Sequence, residues 1–177
     1  MILKTNGERL WDSLMEMATI GPGERGGSRR LALTDADIEG RNLFRKWADE
    51  AGCTFRLDTM GNLFVRRNGK NPEAPPVLAG SHLDTQPSGG RFDGILGVLG
   101  GLEVVRSLND HRIETESPVE IVVWTNEEGA RFYPAMMGSG VFSGIFDQSE
   151  IYTHLDLDGF TVEEELRRTK QLGDTPC

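Results

Sequence analysis

A chain of 177 residues with 37% hydrophobic and 27% charged side chains is long enough for one ordinary core and short of two domains. Nineteen Lys and Arg against twenty-eight Asp and Glu leave a formal net charge of -9. That balance repels polyphosphate and anionic lipid, so neither a nucleic acid nor a membrane is expected as a partner.

Residues 1–14 carry no apolar leader region. The longest apolar stretch, 95–105, is interrupted by Gly97, Gly100, Gly101 and Glu103. No signal peptide or membrane span is therefore read, and a cytoplasmic location is expected. Asn6 can cap a helix whose apolar positions Leu10, Leu14, Met17 and Ala18 recur at helical spacing and which Gly21-Pro22 stops. Residues 21–30 read as a glycine-rich loop. Thr34 with Asp37 forms a capping-box pattern for a second helix, with an apolar stripe of Ile38, Leu43, Trp47 and Ala51 and an end at Gly52. Residues 54–58 and 63–67 alternate as a half-exposed hairpin turned by Gly61-Asn62.

After Pro75-Pro76, the runs 77–79 and 119–124 read as buried strands separated by a helix over 95–108. This βαβ order predicts parallel strands whose carboxyl ends share one rim of an α/β sheet. Thr161 and Glu164 form another capping-box pattern, opening a helix over 162–172 that is acidic first and basic last. Cys53 and Cys177 lie far apart outside any thiolate-ligand spacing, so any metal must be held by His and carboxylates.

The first of the two strands runs into Gly80-Ser81-His82-Leu83-Asp84, the second into Thr125-Asn126-Glu127-Glu128, and Asp93 sits between them in Ser88-Gly89-Gly90-Arg91-Phe92-Asp93-Gly94. Ligands of open α/β sheets sit beyond the carboxyl ends of strands, which makes this rim a candidate site. The His82–Asp84 spacing lets Asp84 receive the second ring N–H of a metal-bound His82. The plainer reading is a hydrogen-bonded histidine at a strand end. Asp93 can face a cation, cap the following helix, or do both. Adjacent Glu127 and Glu128 are a solvated turn if they stand alone. Beside His82, one can bind metal while the other acts as general base.

Gly94, Gly97, Gly100 and Gly101 match no phosphate loop and instead give the helix a small packing face, and Gly138-Ser139-Gly140 is an incomplete dinucleotide turn. His111 and His154 lie in polar surroundings and read as surface residues, with a ligand role left open for His154. Arg91 and Arg131 are equally readable as anchors for a substrate carboxylate or as surface ion pairs.

Three segments in this order carry a resemblance: Gly80-Ser81-His82-Leu83-Asp84-Thr85-Gln86-Pro87, Gly89-Gly90-Arg91-Phe92-Asp93-Gly94, and Trp124-Thr125-Asn126-Glu127-Glu128-Gly129-Ala130-Arg131-Phe132. Together they resemble the hydantoinase/carbamoylase amidases of the M20 metallopeptidase superfamily. The resemblance implies a Zn-peptidase-like α/β catalytic domain with a central sheet flanked by helices. It also implies a binuclear metal site in which His82 binds one ion, Asp93 bridges two, Glu128 binds the other, Glu127 is the general base and Asp84 supports His82. The two divalent ions would be zinc, manganese, cobalt or nickel. The implied reaction is cleavage of a carbamoyl or ureido C–N bond in a small-molecule substrate such as an N-carbamoyl-L-amino acid or allantoate. An M20 peptidase or aminoacylase is the alternative.

Family members are more than twice as long, and the full-length protein is expected to be a homodimer. Residues 1–177 then represent a partial catalytic domain without its carboxy-terminal part, two further histidine ligands or the smaller dimerisation domain. The expectation for this chain alone is weak metal binding, exposed sheet edge and no hydrolysis.

Overall fold

The computed structural model describes residues 3–177. Met1 and Ile2, the start of the stretch read as lacking a leader region, lie outside the described residues. The elements run α1 (Gly7–Met17), α2 (Asp35–Glu50), β1 (Thr54–Leu57), β2 (Leu63–Arg67), β3 (Val77–His82), α3 (Ile95–Asp110), β4 (Val119–Trp124), α4 (Met137–Phe142), α5 (Gln148–Ile151) and α6 (Val162–Arg168). Among the described residues, no helix is long and apolar enough to cross a membrane.

The four strands form one mixed sheet in the order β1-β2-β4-β3. β1 and β2 make the expected antiparallel hairpin, β2 pairs antiparallel with β4, and β3 runs parallel to β4 with His82 opposite Trp124. Leu63 and Val65 of β2 and Ile121 and Val123 of β4 point to one face. There they join Leu14, Met17, Phe44, Trp47, Val98, Leu99, Leu102 and Val105 from α1, α2 and α3 in the main core. Each such side chain contributes about 1.5–3 kcal/mol when fully buried. Of the four glycines read as a small face, Gly97 and Gly101 supply it, while Gly94 is the N-cap against His82 and Gly100 meets nothing within 4 Å. A Cβ on Gly97 would stand 2.7 Å from the Cβ of Ser81, and one on Gly101 would stand 3.2 Å from Ile121, so α3 lies close on β3 and β4.

Several expectations need correction. The inward face of α2 carries Asp37, Gly40, Arg41, Phe44, Trp47 and Ala48, while Ile38, Leu43 and Ala51 are only half-buried. A buried ion pair, Arg41 Nε to Asp37 at 3.2 Å, takes positions that an apolar count assigns to the surface. The Thr34 cap forms, but the Asp37 carboxylate does not reciprocate: it accepts Leu33 N–H at 2.9 Å instead. β2 is buried, because pairing with β4 places it inside the sheet. Val77 and Leu78, expected in the interior, are 63% and 41% exposed, because β3 is an edge strand. The capping box of α6 forms in both directions, but the helix stops at Arg168, four residues early, and Lys170 takes a positive φ of 57°.

A second cluster was not foreseen. Leu33, Met60, Phe132, Met137, Val141, Ile151, Val162 and Leu166 pack together as a cluster separate from the main core. This cluster fixes the long segment after β4 against α4, α5 and α6.

Candidate metal centre

Parallel pairing brings the ends of β3 and β4 to one rim, and the chain leaves β4 in a tight turn. Asn126 sits at φ 52°, in the left-handed region that Asn tolerates. Its side-chain amide donates to Phe132 O at 2.7 Å and to Pro134 O at 3.2 Å, holding the loop that follows. Glu127 O accepts Met136 N–H at 2.6 Å. Glu127 and Glu128 are thereby presented at the rim from a braced turn.

His82 is buried, with Nδ1 2.9 Å from the main-chain carbonyl oxygen of Asp84 and 3.9 Å from its carboxylate. A carbonyl only accepts, so Nδ1 carries the proton and Nε2 presents its lone pair to the rim. This corrects the expected partner: the ring is oriented by the backbone of Asp84, not by its side chain. The Asp84 carboxylate reaches across to the other strand end, where it accepts Glu127 N–H at 3.3 Å and Glu128 N–H at 3.2 Å. Burial pushes its carboxyl up to about 6, with the charge of Asp37 adding to the rise, while His82 and the two N–H groups oppose it.

Asp93 does not cap α3. The N-cap is Gly94, with no side-chain bond, so the Asp93 carboxylate is left exposed at the rim. Gly94 has φ 72°, and a Cβ there would stand 2.4 Å from the His82 ring, so this glycine is required by close approach as well as by backbone conformation. His82, Asp93 and Glu128 each offer one ligand atom, and these atoms lie within 4.8 Å of one another. Glu127 Oε2 is 3.5 Å from His82 Nε2.

The donor set fits a divalent cation. Glu128 Oε1 is buried without a hydrogen-bond partner, while Oε2 accepts Gln86 Nε2 at 2.8 Å. Among the described residues, no Lys or Arg pairs with Asp93, Glu127 or Glu128. One imidazole and three carboxylates without a protein cation make a concentration of negative charge suited to a borderline or hard metal ion.

The other candidates fall outside this group. Arg131 spends its donors on Asp156 at 2.9 Å, Glu165 at 2.7 Å and Ala32 O at 3.0 Å, which makes it a tie between the loop after β4 and α6. Arg91 bonds the main-chain oxygen of Gly26. His111 accompanies the end of α3, with Nδ1 2.8 Å from Ser107 O, and His154 meets Tyr133 O. Gln86 and Asn126 carry no role in the sequence reading, and Gly94 is read there only as part of a small packing face. Their signal was membership of the same motif segments, but spacing does not reveal which side chain crosses to which.

A family model described as Peptidase family M20/M25/M40 matches residues 78–175. An N-carbamoyl-L-amino-acid amidohydrolase of Rhizobium meliloti is 56% identical over 171 residues, covering 97% of this chain and 41% of that protein. An N-carbamoyl-L-amino acid amidohydrolase of Geobacillus stearothermophilus is 41% identical over 162 residues, covering 92% and 39%. The crystal structure of an amidase of the hydantoinase/carbamoylase family from Burkholderia multivorans superposes with a TM-score of 0.98 at 61% identity, covering 99% of this chain and 43% of that one. The chain thus spans about two-fifths of the length of the relatives it matches.

Proposed function

The chain belongs to peptidase family M20/M25/M40, and on that premise we propose that it supplies part of the metal centre of an amidohydrolase cleaving a carbamoyl or ureido C–N bond in a small substrate. The observation that carries this reading is the convergence of His82, Asp93 and Glu128 at the shared rim, with Glu128 Oε1 buried and unpartnered. The names of the Rhizobium and Geobacillus relatives favour an N-carbamoyl-L-amino acid over a peptide as the substrate class.

In the proposed site His82, through Nε2, Asp93 and Glu128 would hold divalent metal, with Asp93 shared if two ions are bound. Zinc, manganese, cobalt and nickel all suit these nitrogen and oxygen donors. When bound, the metal would supply Lewis acidity and a lowered pKa for water. Glu127 takes the proton from the attacking water and returns it to the leaving nitrogen. Its position beside His82 Nε2, rather than within the ligand cluster, supports this division between the two adjacent glutamates. Asp84 positions both by holding their main-chain N–H groups.

The count of donors favours a second statement about this chain alone. Three donors are too few for two ions, since even catalytic zinc sites generally keep three protein ligands for one. The 177-residue chain is therefore proposed to bind metal weakly and to be inactive by itself. Ammonia release from an N-carbamoyl-L-amino acid, beside release of the amino acid from its N-acetyl analogue and from a dipeptide, tests both statements. The assay is run on this chain and on one extended to the relatives' length. Preference of the extended protein for the acetyl compound or the dipeptide overturns the substrate class, and turnover by this chain alone overturns the second statement.

A further inference from the structure

The glycine-rich segment 21–30 contributes no metal-binding side chain to the rim, yet it runs beside the loop that carries Asp93. Ser28 N donates to Gly89 O at 2.9 Å and Gly89 N returns to Ser28 O at 3.0 Å. Thr85 N donates to Arg30 O, and Arg30 N donates to Thr85 Oγ1, both at 2.8 Å. Residues 28–30 thus form an extended brace against the loop that leaves His82 and leads to Asp93.

Arg30 anchors that brace. Its side chain is fully buried, and it makes no salt bridge among the described residues. Its guanidinium donates instead to main-chain oxygens of two elements. Nη1 reaches Ile20 O at 2.8 Å, just beyond α1, and Met17 O at 3.3 Å, a carbonyl of the last turn that also accepts Ile20 N–H, and Nε reaches Leu83 O at 3.2 Å, between His82 and Asp84. A cation at a helix carboxyl end is well placed for the helix dipole. Gly40 leaves it room: a Cβ there would stand 3.4 Å from Arg30 Cδ. Burying an arginine for main-chain acceptors is costly unless they are held in fixed geometry, and the acceptor it fixes near the rim belongs to Leu83, between His82 and the Asp84 carbonyl that orients the ring.

We infer that Arg30 is a positioning residue that sets the orientation of His82 by tying Leu83 to the end of α1. This rests on the reading of His82, Asp93 and Glu128 as a metal centre, and it predicts coupling between a buried charge outside the rim and metal affinity inside it.

The experiment compares cobalt(II) affinity of the wild-type chain, Arg30→Met, Arg30→Lys, His82→Ala and Val105→Ala. The last is a core truncation in α3 that lowers stability away from the rim. Long-range 1H–15N correlation of the metal-free proteins reads the His82 tautomer, with His82→Ala identifying its signal. Arg30→Met is expected to weaken cobalt binding by about 10-fold or more, the loss usual for groups that orient a metal ligand. It should also disturb the Nδ1–H tautomer. Arg30→Lys should recover part of both, and Val105→Ala should leave both unchanged. If Arg30→Met does not fold, Arg30→Lys decides: wild-type affinity and tautomer in a folded Arg30→Lys chain overturn the inference. Wild-type values in Arg30→Met, or an equal loss in Val105→Ala, overturn it as well. Failure of the metal-centre reading looks different, since His82→Ala would then bind cobalt as the wild type does.

Discussion

Gln86 crosses from the loop after β3 to donate its side-chain amide to Glu128 Oε2 at 2.8 Å, and also reaches Glu128 O at 3.2 Å. One carboxylate oxygen is thereby occupied and the other, buried and unpartnered, is aimed. A carboxylate that retains one acceptor fixed by an amide and one free is poised to ligate in a single orientation.

Replacing this amide should release Glu128 without harming the fold, because Gln86 is exposed. Gln86→Leu is expected to weaken zinc or manganese binding by about 10-fold, with the thermal midpoint unchanged. Calorimetric titration beside a melting curve reads both, and unaltered affinity would show that Glu128 needs no such support.

The two glutamates should separate under the same conservative change. In a protein extended to the relatives' length, Glu127→Gln should lower the hydrolytic rate by about 10²-fold or more while metal content is retained. Glu128→Gln should instead lower metal content, since a neutral amide replaces an anionic donor. Elemental analysis with steady-state kinetics distinguishes them, and reversal of the two patterns would exchange the assigned roles.

Gly94→Ala introduces a Cβ 2.4 Å from the His82 ring at a residue with φ 72°. The strain should cost more than about 1 kcal/mol in denaturant unfolding. Because the obstructing atoms belong to His82 itself, metal binding should fall as well. A variant as stable as the wild type would mean that the ring and the loop can separate cheaply.

Acid should loosen the second cluster through Glu165. Arg168 first, and then Arg131, hold this buried carboxyl below its ordinary range against the opposing effect of burial. A carboxyl whose folded pKa is depressed stabilises the fold above its unfolded pKa and loses that contribution as pH falls through the folded value. Stability should therefore decline below about pH 4.5. Glu165→Gln should be less stable at pH 7, on the order of 3 kcal/mol, with a flatter acid limb. Parallel acid limbs for the two proteins in urea titrations would remove Glu165 from the account.

The β3 edge offers unpaired main-chain groups beside exposed Val77 and Leu78. The chain should self-associate with rising concentration, and Val77→Lys should suppress this by placing charge on the edge. Sedimentation velocity across a concentration series provides the check, with equal association in both proteins locating the contact elsewhere.

Local chemistry made much of this protein legible in its sequence. Asn6, Thr34 and Thr161 cap helices where their side-chain oxygens suggested, because capping depends on residues only three apart. The βαβ order determined parallel strands and hence the common rim of His82, Asp93, Glu127 and Glu128, since crossover geometry allows little else. Burial was decided by neighbours. Two apolar runs became an edge in β3 and a core strand in β4 through the order of the sheet, and Asp37 and Arg41 went inside because each neutralises the other. The partners at the rim likewise belong to the tertiary structure. Asp84 meets Glu127 and Glu128 across 43 and 44 residues, Gln86 meets Glu128 across 42, and Arg30 meets Leu83 across 53. Spacing along the chain brings residue types to one place, but which donor faces which acceptor is set by ångström-scale differences in how separate elements pack.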